Sequence, residues 1–226
     1  MKAKPTGQAG DRTLFHLKLA GALFALLMAA WFVHRQFATP EIRVNKQPFA
    51  SLGEYAADEL GAILPGGRVQ VVYDVPDKTA NQHPRFGKAI EMQGVQALAF
   101  KARLAGRGRF TFDADVKLPR PVMAMQSAWP AGVFQSLVQR ADTTLVLFSS
   151  LPVLGDPERA LIQQRKGKLV VVGMALPAIQ PAVRARLVNL AVANRVPIPQ
   201  STGATESPAD WVKRVYAVVV PESGNP

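Results

Sequence analysis

Three predicted strands end in residues able to do chemistry. Asp74 ends the run VQVVYD and Asp77 follows it, Ser149 and Ser150 follow TTLVLF, and Gly173 follows KLVVV. In α/β folds, ligand-contacting groups gather at the carboxyl ends of strands. These five could therefore line a crevice in which Asp74 takes a hydroxyl or a cation and the serines donate hydrogen bonds. Asp, Ser and Gly also cap and turn βα connections in any such fold, so position alone leaves both roles open.

Catalysis has less support. A serine nucleophile needs a base, and the local sequence LFSSLP is not the Gly-x-Ser-x-Gly elbow that exposes a serine on a tight turn. His83 lies in a polar loop and His34 beside an apolar run, so neither is oriented toward the serines by anything in the sequence. The 3 histidines, at positions 16, 34 and 83, are too dispersed for a local metal motif. Asp113 and Asp115 alternate on a polar face, which more often marks a solvated edge than a magnesium or calcium site. The chain has 0 cysteines, which removes disulfide scaffolds, thiolate zinc, iron–sulfur clusters and cysteine nucleophiles. Gly106-x-Gly108 precedes the strand-patterned RFTF where a phosphate loop needs a helix. No nucleotide motif occurs elsewhere, so the expectation is a non-enzyme without metal or cofactor.

Charge offers a second kind of site. The chain carries 27 Lys and Arg against 16 Asp and Glu, a net +11. Lys101, Arg103, Arg107, Arg109, Lys117 and Arg120 fall on or beside one predicted hairpin. They read either as a docking surface for anionic lipid headgroups, an acidic polymer or an acidic protein, or as charge guarding a sheet edge from aggregation. Nucleic acid is disfavoured because no aromatic residues interleave the basic run.

The elements that must position these residues begin with an apolar segment. Leu14 to Val33 gives 20 residues, the last 15 of them uncharged. At about 1.5 Å per residue this matches a hydrocarbon core of roughly 30 Å. Trp31-Phe32-Val33-His34-Arg35 at its end suits a membrane interface and offers no small-x-small cleavage site, so the segment reads as an uncleaved anchor rather than a signal peptide. Flanking Lys and Arg favour the N-terminus inside. The predicted organisation is a cytoplasmic tail over 1–13, a transmembrane helix over 14–33, a linker over 34–48, an exported α/β domain over 49–220 and a flexible tail over 221–226. This is a single-pass protein of the bacterial inner membrane with its domain in the periplasm.

Within that domain the patterns predict a helix from Phe49 to Ile63 with Ser51 as N-cap, then a strand ending at Asp74 and a polar loop over 76–84. A short helix over 85–93 follows. Val95–Leu104 and RFTFDADVKL both alternate, which predicts a β-hairpin across Gly106 and Gly108. Helices are expected over 132–140, 157–165 and 182–190. Strands are expected over 143–148, 168–172, 190–193 and 216–220, and a polar loop over 201–210.

The order helix, strand VQVVYD, helix, then ADTTLVLFSSLP and GKLVVVGMALP resembles a single Rossmann-like lobe of periplasmic sugar-binding-type receptors, over roughly residues 50–220. The resemblance implies a mostly parallel sheet with a ligand site at the strand ends. Such receptors bind ligand between two lobes, and this chain has room for one. The reading is a non-catalytic, membrane-anchored interaction or assembly subunit of a cell-envelope complex, with envelope or membrane proteins as partners. The alternative is a tethered small-molecule receptor. A shallow apolar pocket favours the first and a deep polar crevice the second.

Overall fold

The computed structural model describes residues 8–37, 44–79, 83–121, 129–196 and 206–222, with side chains of the first helix from Lys18 to Val33. The chain divides into two units, residues 1–43 and 44–226. The first is the helix α1 (Gln8–Phe37). Its described side chains are all exposed, including Leu23, Phe24, Leu26 and Phe32. Among the described residues no helix is long and apolar enough to cross a membrane. The predicted span starts earlier, at Leu14, ahead of the described side chains.

The second unit is a three-layer α/β fold. Its sheet has strands β1 (Gly67–Pro76), β2 (Phe110–Phe112), β3 (Val116–Arg120), β4 (Thr144–Phe148), β5 (Leu169–Ala175), β6 (Leu190–Asn194) and β7 (Tyr216–Val219). The order is β2-β1-β4-β5-β6-β7, with β3 also paired to β1. All pairs are parallel except β6 with β7. β4 is buried along its whole length, as expected of a strand covered on both faces. On one face Val71, Val146 and Val170 pack under α2 (Gln47–Ile63), α3 (Pro84–Ala105) and α7 (Pro208–Val215). On the other, Leu145, Leu147 and Val171 pack under α4 (Val133–Val138), α5 (Asp156–Gln164) and α6 (Leu176–Arg184).

The predicted hairpin is not formed. Val95–Leu104 lies inside α3, and β2 and β3 are two pieces of one edge strand, parallel to β1 and interrupted at residues 113–115. The stretch ALAFKARL fits both periods, and the helical one wins. Ala97, Phe100 and Leu104 are buried at spacings of three and four, whereas Leu98, which alternation would place beside Phe100, is 65% exposed. Ala, Leu, Lys and Arg are also strong helix formers. A helical crossover in place of a tight turn makes the next strand parallel.

Smaller shifts follow local chemistry. Lys46, not Ser51, stands at the N-cap position of α2, with no capping bond from its side chain, because Pro48 is tolerated only in the first turn and so fixes the start upstream. α6 begins six residues earlier than the predicted helix, at Leu176. The predicted loop over 201–210 instead leads into α7, whose Ser207 Oγ accepts from the Asp210 N–H at 3.2 Å. Residues 38–43 of the predicted linker, 80–82 and 201–205 of the predicted loops, and 223–226 of the predicted tail lie outside the described residues.

Two glycines set distances. A Cβ at Gly53 would run into the Gln96 carbonyl oxygen, so this residue is what lets α2 and α3 touch backbone to backbone. At Gly167 a Cβ would meet the Thr143 carbonyl in the same way, holding the β5 entry against that of β4.

Candidate functional site

Counting β2 and β3 as one strand, the chain steps from β1 to one sheet edge and then restarts on the other side of β1 with β4. The connection after β1 rises into α3 on one face and that after β4 into α5 on the other, so the carboxyl ends of β1 and β4 flank a topological switch point. Beside it lies a crevice of about 380 Å³.

The floor is polar. Asp74 lies near the carboxyl end of β1 with its side chain 0% exposed, and its Oδ2 accepts from Arg120 Nη1 at 3.2 Å. The Asp74 backbone N–H donates to Gln93 Oε1 at 2.8 Å. Arg120, at the end of β3, and Gln93, on α3, both line the crevice, while Asp74 lies beneath them. The buried carboxylate thus orients the guanidinium that faces the cavity. Gln96, one helical turn on, adds a second amide to the same wall.

The opposite wall comes from the ends of β4 and β5. Ser149 is buried, and both it and Ser150 line the crevice. Their loop is tied down at two points, since Trp129 Nε1 donates to the Ser150 carbonyl at 2.9 Å and the Leu151 N–H points at Met174 Sδ at 3.4 Å. Gly173 adopts φ +88°, where glycine alone is unstrained, at the break in register between β5 and β6. Its part is to shape the wall. Tyr216 closes the crevice from β7, and burial raises its phenol pKa, so it stands as a neutral donor at physiological pH.

Of the predicted ligand residues, the structure brings Ser149, Ser150 and Gly173 together over Asp74. Asp77 does not join them. Its Oδ1 accepts from the Thr79 N–H at 2.8 Å and Thr79 Oγ1 at 2.6 Å, a turn-closing role. His83 precedes α3 with its ring 6.4 Å from Phe86 and does not line the crevice.

The six cations predicted as one surface separate. Arg120 belongs to the crevice. Lys101 pairs with Asp115 at 2.8 Å and lies over the Phe112 ring. Arg103 and Arg107 both reach Asp58 at 2.9 Å, and hydrogen bonding from Arg103, then from Arg107, holds the Asp58 carboxyl below its ordinary pKa against the opposing effect of burial. Arg109 is exposed beside β2 and Lys117 is exposed on β3. Gln93, Gln96 and Tyr216 escaped sequence reasoning. The signal for the glutamines was their i, i+3 spacing, visible once α3 is read as a helix.

The fold and site together define a single α/β lobe with a polar crevice at its strand ends. No family model matches the chain, and no curated protein does. Solved structures similar to it include an ABC transporter solute-binding protein from Agrobacterium vitis bound with alpha-D-tagatopyranose, 16% identical with a TM-score of 0.42 over 64% of this chain and 44% of that one. A LacI transcriptional regulator from Bacteroides fragilis is 12% identical, with a TM-score of 0.42 over 65% and 47%. The arabinose-binding protein of Geobacillus stearothermophilus is 14% identical, with a TM-score of 0.39 over 64% and 45%. The chain spans less than half the length of each. A likeness at this level is one of α/β layout and says nothing of ligand.

Proposed function

We propose that this protein is a membrane-tethered, non-catalytic receptor domain that binds a small polar molecule in the crevice at the carboxyl ends of β1, β3, β4 and β5. The observation that carries the reading is the lining. Arg120, two carboxamides, two serines and a phenol converge on one cavity of about 380 Å³, within the usual size range of small-molecule sites. The donors suit hydroxyl and carboxylate oxygens. Among the described residues the lining holds no carboxylate and no histidine, so a general base for the serines is not at hand there. The tether rests on the apolar run 14–33 and the exposed apolar side chains of α1, which need a non-aqueous environment. On this reading α1 sits in a bacterial inner membrane and the domain in the periplasm.

The assembly-subunit reading has less to draw on, because Lys101, Arg103 and Arg107 already spend their charge on Asp115 and Asp58. A thermal-shift screen of the detergent-purified chain against sugars, sugar acids, amino acids and other small carboxylates tests the proposal. One chemical class is expected to raise Tm, and the rise should disappear in Arg120→Met. No response to any polar class would sink it.

A further inference from the structure

The two edges of the sheet are treated differently. The β2–β3 edge is broken at residues 113–115 and carries Lys117 and Pro119, the usual devices against pairing with another strand. At the other edge, among the described residues, β7 pairs with β6 alone, and the stretch from Tyr216 to Val220 holds neither charge nor proline. Its carboxyl-terminal half lies at the amino ends of the parallel strands, since Val219 pairs with Ala191, so this edge end is remote from the crevice. A groove of about 300 Å³ opens there between α6 and β7, lined by Val183, Val219 and Val220, with Arg184, Arg186 and Glu222.

The arginines are the unusual feature. α6 ends in a Schellman turn, with the Arg186 N–H donating to the Val183 carbonyl and the Leu187 N–H to the Ala182 carbonyl, both at 2.9 Å. Arg186 holds the left-handed position at φ 57°, where glycine is the unstrained choice. Arg184, in the last helical turn, suits the helix dipole wherever it points. Arg186 has no such local reason to be arginine. Both are exposed, and neither forms a salt bridge among the described residues.

We infer that the β7 edge is a docking site for an extended acidic peptide segment of a partner protein, which adds to the sheet as an eighth strand while its carboxylates meet Arg184 and Arg186. A strand edge supplies backbone donors and acceptors in a row, the valines supply an apolar groove floor, and the two guanidiniums select acidic over basic side chains. The test uses the full chain in detergent and a dye-labelled octapeptide of alternating Val and Glu, read by fluorescence anisotropy, with hydrogen exchange of the backbone over 216–220. The peptide is expected to bind and to protect those amides, and the alternating Val–Lys peptide is expected not to. Arg186→Gly relieves the left-handed strain, so its fold is secure. That variant and Arg184→Gln should each weaken binding about tenfold. No binding at millimolar peptide, equal binding of the Lys peptide, affinity unchanged in both variants, or protection absent from 216–220 would each overturn the inference.

Discussion

At the scale of residues, the account turns on which charges are already engaged. Asp58 is shared by Arg103 and Arg107, and the hydrogen bond from Arg103 lowers its pKa in the folded chain. A carboxyl whose folded pKa lies below its unfolded value stabilises the fold above the unfolded pKa and ceases to do so as pH falls through the folded one. Asp58→Asn should therefore lower stability at pH 7. The deficit relative to wild type should shrink below about pH 4, the ordinary Asp range, and vanish beneath the folded-state pKa. With the Asp58 side chain 37% exposed, solvent screening keeps the effect under about 1 kcal/mol. Urea denaturation of both proteins at a series of pH values measures it, and a deficit that persists at pH 2 would contradict the pairing. The site residues were partly legible at this scale. The placing of Ser149, Ser150 and Gly173 around one crevice, with Asp74 beneath it, could be read because parallel strands bring their carboxyl ends to one side of the sheet. Asp77 followed the same rule and instead closes a turn, since a short polar side chain in a loop has backbone N–H groups within easier reach than any crevice.

At the scale of elements, the contact between α2 and α3 decides where the crevice wall stands, because Gln93 and Gln96 ride on α3. Replacing a helix-interior glycine with alanine ordinarily gains up to about 1 kcal/mol of helix propensity. At Gly53 the new Cβ would strike the Gln96 carbonyl and crowd the Phe100 nitrogen, both fixed backbone atoms. Overpacking of this kind costs about 1–3 kcal/mol, so Gly53→Ala should be destabilising on balance. Gly61→Ala is the control. Its Cβ would meet the Arg107 guanidinium, the movable end of a side chain, and chemical denaturation should find it close to neutral or stabilised. The reverse ranking of the two variants would contradict the packing described. These two helices also show where sequence reading failed. Strands β1, β4 and β5 were legible because each carries a β-branched run bounded by turn residues. α3 was not, because alanine-rich sequence with a hydrophobic residue at every second or third place satisfies both periods. Misplacing that one helix moved Arg120 from the carboxyl end of a parallel edge strand, where it faces Asp74, into an imagined hairpin surface, and it hid both glutamines.

At the scale of the whole molecule, the order of strands places a polar crevice beside the switch point, and the sequence before the domain holds an apolar run over 14–33. The two-unit layout was legible from composition alone, through the contrast between an uncharged run and the alternating segments after it. The strand over 216–220 was legible, but the helix before it, and with it the antiparallel sense of β7, was not, because Ser207-Pro208 reads as turn until its capping role is seen. In the proposed function a retained N-terminal segment tethers a lobe whose crevice holds a small polar molecule. Native mass spectrometry of the chain extracted from membranes in mild detergent reads both halves together. The account predicts a mass that includes residues 1–33, together with a satellite heavier by one small molecule that is shed on activation and missing from Arg120→Met. A chain beginning after about residue 30, or a wild-type spectrum as bare as that of the variant, would contradict it.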